Sequence, residues 1–481
     1  MVIEISALKD SIVFKCGESC GADRGFVNVS AYSPALAEDK LIGTARCELR
    51  DGSFSLDRYL FGRDGAFLRY ETDLGGVKYC SATDSKYVLD YPATDSVKGL
   101  QISDPQDAEI LGVRHTAINV AINDILLGGP GDNAEEFDYD GGKYYVNKAM
   151  IAYYDRTFRE FTEKGIVVTL ILLCGKAWGG RPVAEEMKPV LLHPDYDDEG
   201  TLSAFNVATD EGIRHYQAFV AYLAGRYGGS ECGDHGNVHG MIVSNEVTSQ
   251  WIWGNAGLKT VEEYASLYLT SMRIAYLAAQ SAASDMRIYA SLDHFWSASM
   301  NDAEPLKYYS GKALLNAIRT LAKEQGDFYY NIAYHPYPED LTKPDFWNDA
   351  TATEGDDTVR ITFKNLEVLA RYIYEEENLY KGKRRRVILS EQGFNSKWTP
   401  ESEILQATAY GRAYRKVMSI PEIDAFILHA HLDCKEEFGL NLGIWRRKPE
   451  SNEPDAPKPV YYLFKVIDQK DDTGKYVWER F

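Results

Sequence analysis

From about residue 97 onward, short and nearly uninterrupted apolar runs alternate with longer amphipathic stretches, and this alternation leaves few folds open. The apolar runs are KGLQI (98–102), TAINVAI (116–122), IVVTLILL (166–173), VHGMIVS (238–244), RIYASL (287–292), YYNIAY (329–334), RVILS (386–390) and AFILHA (425–430). Continuous apolar runs, rather than alternating ones, are what strands buried on both faces of a parallel sheet require. Stretches of helical periodicity separate most of them: 147–165, 213–228, 261–280, 311–326 and 362–378, then 401–419 after the seventh run. PVYYLFKVID (459–468) reads as a closing eighth helix. Eight strands alternating with helices predict an α/β fold of the (β/α)8 barrel type. An open doubly wound sheet would show the same alternation, but neither GxGxxG nor GxxxxGK follows any strand. GGPGDN, around Gly129–Gly131, reads as a loop turn because no helix follows at the spacing a phosphate cradle needs.

Residues 1–92 have a different texture. SIVFKCG, GFVNVSAYS, LIGTARCEL, FLRYET and VKYCSAT are short strand-like runs punctuated by Gly, Asp and Ser. They predict a β-rich accessory region packed against the barrel of 97–481, with no catalytic constellation of its own. The 52 Lys and Arg against 72 Asp and Glu leave a formal charge of −20. That charge repels nucleic acid and anionic membrane surfaces, so neither is expected as a partner. The basic run KGKRRR (381–386) precedes an apolar strand and reads as a solvated turn. No apolar stretch approaches the ~20 residues that span a bilayer. The first residues lack a basic n-region and a small-residue cleavage site, so a cytoplasmic protein is expected, or a secreted or periplasmic one whose signal peptide has been removed. Seven scattered cysteines suit a reducing compartment, and Cys16 and Cys20 lack a second pair with which to hold zinc. The oligomeric state is left open.

In such a barrel, chemistry gathers at the C-terminal ends of the strands. There the sequence places Lys176 and Trp178 after strand three, Asn245 and Glu246 after strand four, and Asp293, His294 and Trp296 after strand five. His335 and Tyr337 follow strand six, Glu391 follows strand seven, and His429, His431 and Asp433 follow strand eight. Strands four and seven face each other across a small barrel, which makes Glu246 and Glu391 a candidate carboxylate pair. Retaining glycosidases need two carboxyls ~5–5.5 Å apart, one protonated and one ionised. Trp178, Trp251, Trp253, Trp296 and Tyr337 could stack on the apolar faces of sugar rings.

With Asn-Glu ending strand four, His-x-Tyr ending strand six and Glu ending strand seven, residues 100–481 resemble clan A of the retaining glycoside hydrolases. The chain also looks like an uncharacterised, mostly bacterial family within that clan. The resemblance implies that Glu246 is the acid/base and Glu391 the nucleophile. It implies that Asn245 bonds the sugar 2-hydroxyl, that Tyr337 holds the nucleophile, and that His335 contacts sugar or a catalytic carboxylate. One departure stands out: many clan members carry a Trp on strand eight beneath the reacting sugar, where this chain has His429, His431 and Asp433, with Trp445 further along.

The expectation is a retaining O-glycoside hydrolase acting on neutral oligo- or polysaccharides, with no metal or organic cofactor. The acidic loops 128–146, 179–210 and 340–358 would set pocket depth and disfavour polyanionic glycans. His429 and His431, like Asp293 and His294, could line the sugar pocket. Two other readings stay open. A glycan-binding pseudo-enzyme would keep the barrel without catalysis, and a metal-dependent barrel hydrolase would use the strand-eight histidines with Asp433. Lys176 as a Schiff-base lysine is disfavoured by its place in a loop beside Gly175.

Overall fold

The computed structural model describes residues 1–18, 25–175, 180–229 and 233–481. Trp178, with Lys176, Cys20 and Cys232, lies outside the described residues. Eight parallel strands close into a barrel: β1 (Lys98–Leu100), β2 (His115–Ala121), β3 (Val167–Leu173), β4 (Gly240–Val243), β5 (Arg287–Leu292), β6 (Tyr330–Tyr334), β7 (Val387–Leu389) and β8 (Ile423–Leu428). β8 closes the ring on β1, with Phe426, Ile427 and Leu428 opposite Lys98, Gly99 and Leu100. Gly99 is required at this seam, because a Cβ there would meet the Ile427 side chain at 2.7 Å and the His115 carbonyl oxygen at 2.9 Å.

Burial on both faces explains the continuous apolar runs. Ala117, Ile171, Ile242, Tyr289, Ala333, Ile388, Ala425 and Ile427 fill the barrel. Their strand neighbours, among them Leu170, Leu172, Val243, Ile288, Leu389 and Phe426, pack outward in the core shared with the helices. Each strand is followed by a helix: α1 (Pro105–Leu111), α2 (Lys148–Glu163), α3 (Asp210–Tyr227), α4 (Val261–Ala282), α5 (Gly311–Gln325), α6 (Glu367–Tyr374), α7 (Pro400–Met418) and α8 (Pro459–Val466). Side chains cap most of their N-termini. Thr260, for example, accepts from the Glu263 N–H while the Glu263 carboxylate accepts from the Thr260 N–H.

Two segments depart from the sequence reading. The stretch 128–146, read as loop, carries most of a three-stranded antiparallel sheet made by Leu126–Leu127, Ala134–Tyr139 and Gly142–Asn147. Its hairpin turns at Asp140 and Gly141, with φ of 46° and 75°, the two left-handed residues that a tight hairpin demands. The helix read over 362–378 shrinks to α6 and a short 3-10 turn at Glu376–Asn378.

The N-terminal region forms a four-stranded sheet in the order Ser53–Asp57, Ser11–Cys16, Val2–Ala7, Ala82–Thr83, and a three-stranded one in the order Leu41–Glu48, Phe26–Tyr32, Arg69–Thr72. Val2–Ala7 and Ser53–Asp57 were not read as strands, and of VKYCSAT only Ala82–Thr83 pairs. The sheets share one continuous apolar core with the helix layer. Polar contacts pin them to the start of α3, where Ser33 and Arg63 each donate to Asp210 at 2.6 Å and Lys40 at 2.7 Å. Among the described residues, no helix is long and apolar enough to cross a membrane.

Candidate active site

The sequence-selected residues Asn245, Glu246, Asp293, His335, Glu391 and His429 each sit within three residues of a strand's C-terminal end, so all belong to the same barrel mouth. The chain leaves β4 with Ser244 and Glu246 in the left-handed region, φ 62° and 38°. Such backbone is uncommon for residues with a side chain and costs roughly 1–3 kcal/mol each. Neighbouring strands hold it in place: the Ser244 N–H donates to the Leu172 carbonyl at 2.9 Å, and the Glu246 N–H to Ser291 Oγ at 2.9 Å.

A carboxylate oxygen of Glu246, one of Glu391 and a ring nitrogen of His335 lie within 4.8 Å of one another. His335 Nδ1 meets Glu246 Oε1 at 2.9 Å, and its Nε2 meets Ser390 Oγ at 2.9 Å. Each oxygen of Glu391 has its own donor. Tyr337 Oη donates to Oε1 at 3.2 Å, and Gln101 Nε2 approaches Oε2 at 3.5 Å while donating to the Ser390 carbonyl at 3.2 Å. His294 Nδ1 donates to the Tyr337 carbonyl at 3.0 Å and so steadies the residue that holds Glu391.

Burial dominates the electrostatics of Glu246. Burial pushes the Glu246 carboxyl up to about 7; the charge on His429 pulls against this and Glu437 adds to it. Asp293 is raised too, by burial and by the neighbouring Glu246 charge, against hydrogen bonds from Ser249, Phe295 and Thr248. Burial lowers His335 and takes His294 down to about 4, so both rings are neutral at physiological pH. His429 goes the other way. Burial alone would lower it, but the hydrogen bond to Glu437 and the charges of Glu391, Glu437 and Glu246 carry it to about 9.

Other sequence candidates are placed elsewhere or used differently. Trp296 is 1% exposed, donates its indole N–H to the Asp356 carbonyl at 3.0 Å and meets Tyr372 edge-on, which buries it in the helix layer. His431 turns toward α1, where it, the Trp445 indole and the Tyr461 hydroxyl all converge on the Asp107 carboxylate at 2.7, 3.0 and 2.9 Å. Asp433 makes a fully buried ion pair with Lys458 at 2.7 Å. His429 and His431 therefore diverge, and with Asp433 they form no common ligand set. Trp251 is buried under the Lys307 ammonium, and half-buried Trp253 packs on the barrel's interior core. Glu246, His335 and Glu391 form the one group among the described residues whose donors converge closely enough for a metal ion. Both His335 nitrogens, however, are already engaged, which leaves two carboxylates and too few ligands for the usual metal sites.

Sequence reasoning missed Gln101, Ser390, Ser291 and Glu437. Gln101 and Ser390 were within reach, since each stands at a strand end as the selected residues do. Glu437 sits in the loop after β8, where no periodicity marks it. The next residue, Phe438, is 76% exposed with φ 51°, and Leu440 and Leu442 of the same loop pack on Tyr337.

The chain is similar to several solved structures. A family 39 glycoside hydrolase from the gut symbiont Bacteroides cellulosilyticus WH2 matches with a TM-score of 0.49 at 15% identity, over 96% of this chain and 81% of that one. A family 1 β-glucosidase from Thermotoga maritima matches with a TM-score of 0.47 at 14% identity, over 76% and 85% of the two chains. The Thermotoga maritima β-glucosidase in complex with noeuromycin gives 0.48 at 15% identity, over 75% and 84%. No curated protein matches the sequence. Residues 90–478 match the profile of DUF5722, a family of unknown function, and the chain belongs to that family.

Proposed function

We propose that the protein is a retaining O-glycoside hydrolase. The observation that carries this reading is the separation of the carboxylate pair, with oxygens of Glu246 and Glu391 within 4.8 Å. So close an approach of one oxygen from each suits double displacement at ~5–5.5 Å better than the ~6.5–9.5 Å that an inverting enzyme leaves for water. An oxygen of Glu391, oriented by Tyr337 and Gln101, bonds to the anomeric carbon as the glycosidic C–O bond breaks. The proton of Glu246 goes to the departing oxygen. In the second step Glu246 takes a proton from water, whose oxygen bonds the anomeric carbon and frees Glu391. Burial of Glu246 supports its assignment as the acid, because it keeps the carboxyl protonated closer to neutrality. No step draws on a metal or organic cofactor.

Asn245 is buried, and among the described residues its amide makes no hydrogen bond to the protein, which suits contact with a sugar hydroxyl. The exposed Phe438 at the mouth suits stacking by a further sugar ring, and so supports a neutral oligo- or polysaccharide as substrate. The test is release of sugar from a panel of aryl glycosides and neutral oligosaccharides by the wild type and by Glu391→Ala. Release by the wild type alone supports the reading. Release by both proteins removes Glu391 from the mechanism. Silence from both, with oligosaccharide binding retained, points to a glycan-binding pseudo-enzyme.

A further inference from the structure

His429 stands where it could offer a hydrogen bond to a sugar, yet both of its ring nitrogens are used inside the protein. Nδ1 meets Gln101 Oε1 at 2.5 Å, and Nε2 lies 3.3 Å from Glu437 Oε1. The orientation of the Gln101 amide is settled by its other end. The Nε2 group faces two acceptors, the Ser390 carbonyl and Glu391 Oε2, so Oε1 must be the atom turned to His429. A carbonyl oxygen only accepts, and therefore Nδ1 carries a hydrogen. An ionised carboxylate 3.3 Å from Nε2 would repel a bare lone pair on that nitrogen, which favours a hydrogen there as well. A ring that donates from both nitrogens is an imidazolium.

We propose that His429 is a positioning residue held as a cation: clamped between Glu437 and Gln101, it locks the Gln101 amide onto Glu391 and sets the charge balance of the carboxylate pair. This rests on the glycosidase reading of the site. The charged and titratable groups facing the ring are Glu246 from β4, His335 from β6, Glu391 from β7 and Glu437 from its own loop, with Gln101 the neutral contact from β1. Three carboxylates, Glu246, Glu391 and Glu437, act on this ring, and among these neighbours His429 is the group that can offset them as a full positive charge. Its electrostatic preference runs the same way, since the acids around it favour the charged ring despite burial. A cation here favours ionised Glu391 and, after attack, the return of that carboxylate as leaving group.

Two measurements on the full chain test this. Side-chain nitrogen NMR of histidine-labelled wild type at pH 7.5, with His429 assigned by its loss in His429→Gln, should show a ring protonated at both nitrogens. Glu437→Gln should let that ring become neutral at the same pH. A neutral His429 in the wild type overturns the proposal, whatever the enzymatic activity. The second measurement is the pH profile of kcat/KM. His429→Gln removes the cation that pulls Glu246 down, so the limb set by Glu246 should move upward, by about one pH unit for a unit charge at this range, and carry the optimum with it. His429→Lys should return the optimum toward its original position. Lower activity with unmoved limbs would mean a merely structural role and would also overturn the proposal. A wild type that hydrolyses no glycoside while its His429 is doubly protonated refutes the glycosidase reading and leaves the cation standing.

Discussion

His335 joins Glu246 to the strand that carries Glu391: its Nδ1 meets Glu246 Oε1 at 2.9 Å while its Nε2 meets Ser390 Oγ at 2.9 Å. Because burial keeps the ring neutral, one nitrogen donates and the other accepts. The proton on Glu246 and the rotor of Ser390 are thereby set together. His335→Gln should lower kcat by about 10²-fold, the scale of a disturbed general acid, with KM nearly unchanged. Ser390→Ala, which removes only the far partner, should have a smaller effect in the same direction. Steady-state kinetics on a single substrate separate these outcomes, and a dominant rise in KM would mean that His335 binds substrate instead.

The raised titration of Glu246 predicts where activity ends on the alkaline side. With the carboxyl at about 7, the protonated acid is lost as pH rises through neutrality, and kcat/KM should fall above about pH 7. Glu246→Gln should spare the first step with dinitrophenyl glycosides, whose leaving group needs no proton, and should remove this alkaline limb. Unactivated substrates should lose about 10²-fold or more. Equal losses on both substrate types would sink the assignment of Glu246 as the acid.

The same shift has a consequence for stability. A carboxyl whose folded pKa is raised gives stability that is present below its unfolded value of 4.5 and lost as pH rises through about 7. Wild type at pH 8 therefore carries an ionised, buried Glu246 that Glu246→Gln relieves. The variant should be more stable than wild type at pH 8, by about 3 kcal/mol, and no more stable at pH 4. Urea denaturation at the two pH values measures it. A gain that is the same at both pH values would have another origin.

The barrel and the carboxylate pair were legible in the sequence for one reason: a strand buried on both faces is an apolar run, and a polar residue just past its end has nowhere to go but the mouth. The legibility ends where the strand ends. His429 and His431 were both expected to line the sugar pocket, as alternate residues of one strand would, but β8 stops at Leu428, the period of two lapses, and the second ring swings to Asp107. Trp296 lies three residues past Asp293, yet the chain has already turned into the helix layer. Glu437 reaches the site by a loop path held by tertiary contacts, among them the packing of Leu440 and Leu442 on Tyr337.

Asp433 distinguishes a structural acid from a metal ligand. It pairs with Lys458 at full burial, and Trp398 and the Gly443 N–H fill its remaining acceptor sites. Lys458→Met leaves that carboxylate buried without its cation and should cost about 3–5 kcal/mol of folding free energy. Whatever folds at low temperature should keep its activity per folded molecule, and added divalent metal should not restore the rest. Loss of activity at unchanged thermal stability, reversed by metal, would return Asp433 to a catalytic ligand set.

Phe438 is the residue through which chain length of the substrate should be felt. It is 76% exposed, with a left-handed backbone that an aromatic residue rarely adopts, and it directly follows Glu437, whose carboxylate pairs with His429 in the site. The turn is tied down by the Leu440 N–H donating to the Glu437 carbonyl at 2.8 Å, so the ring stands on an anchored rim. Phe438→Ala removes no buried contact and should leave thermal stability unchanged. It should lower kcat/KM for oligosaccharides by about fivefold, the worth of roughly 1 kcal/mol of ring stacking, and leave methyl glycosides untouched. A series of substrates from one to five sugars reads this directly. A loss that is equal across the series would place Phe438 in the support of Glu437 and not in the path of the glycan.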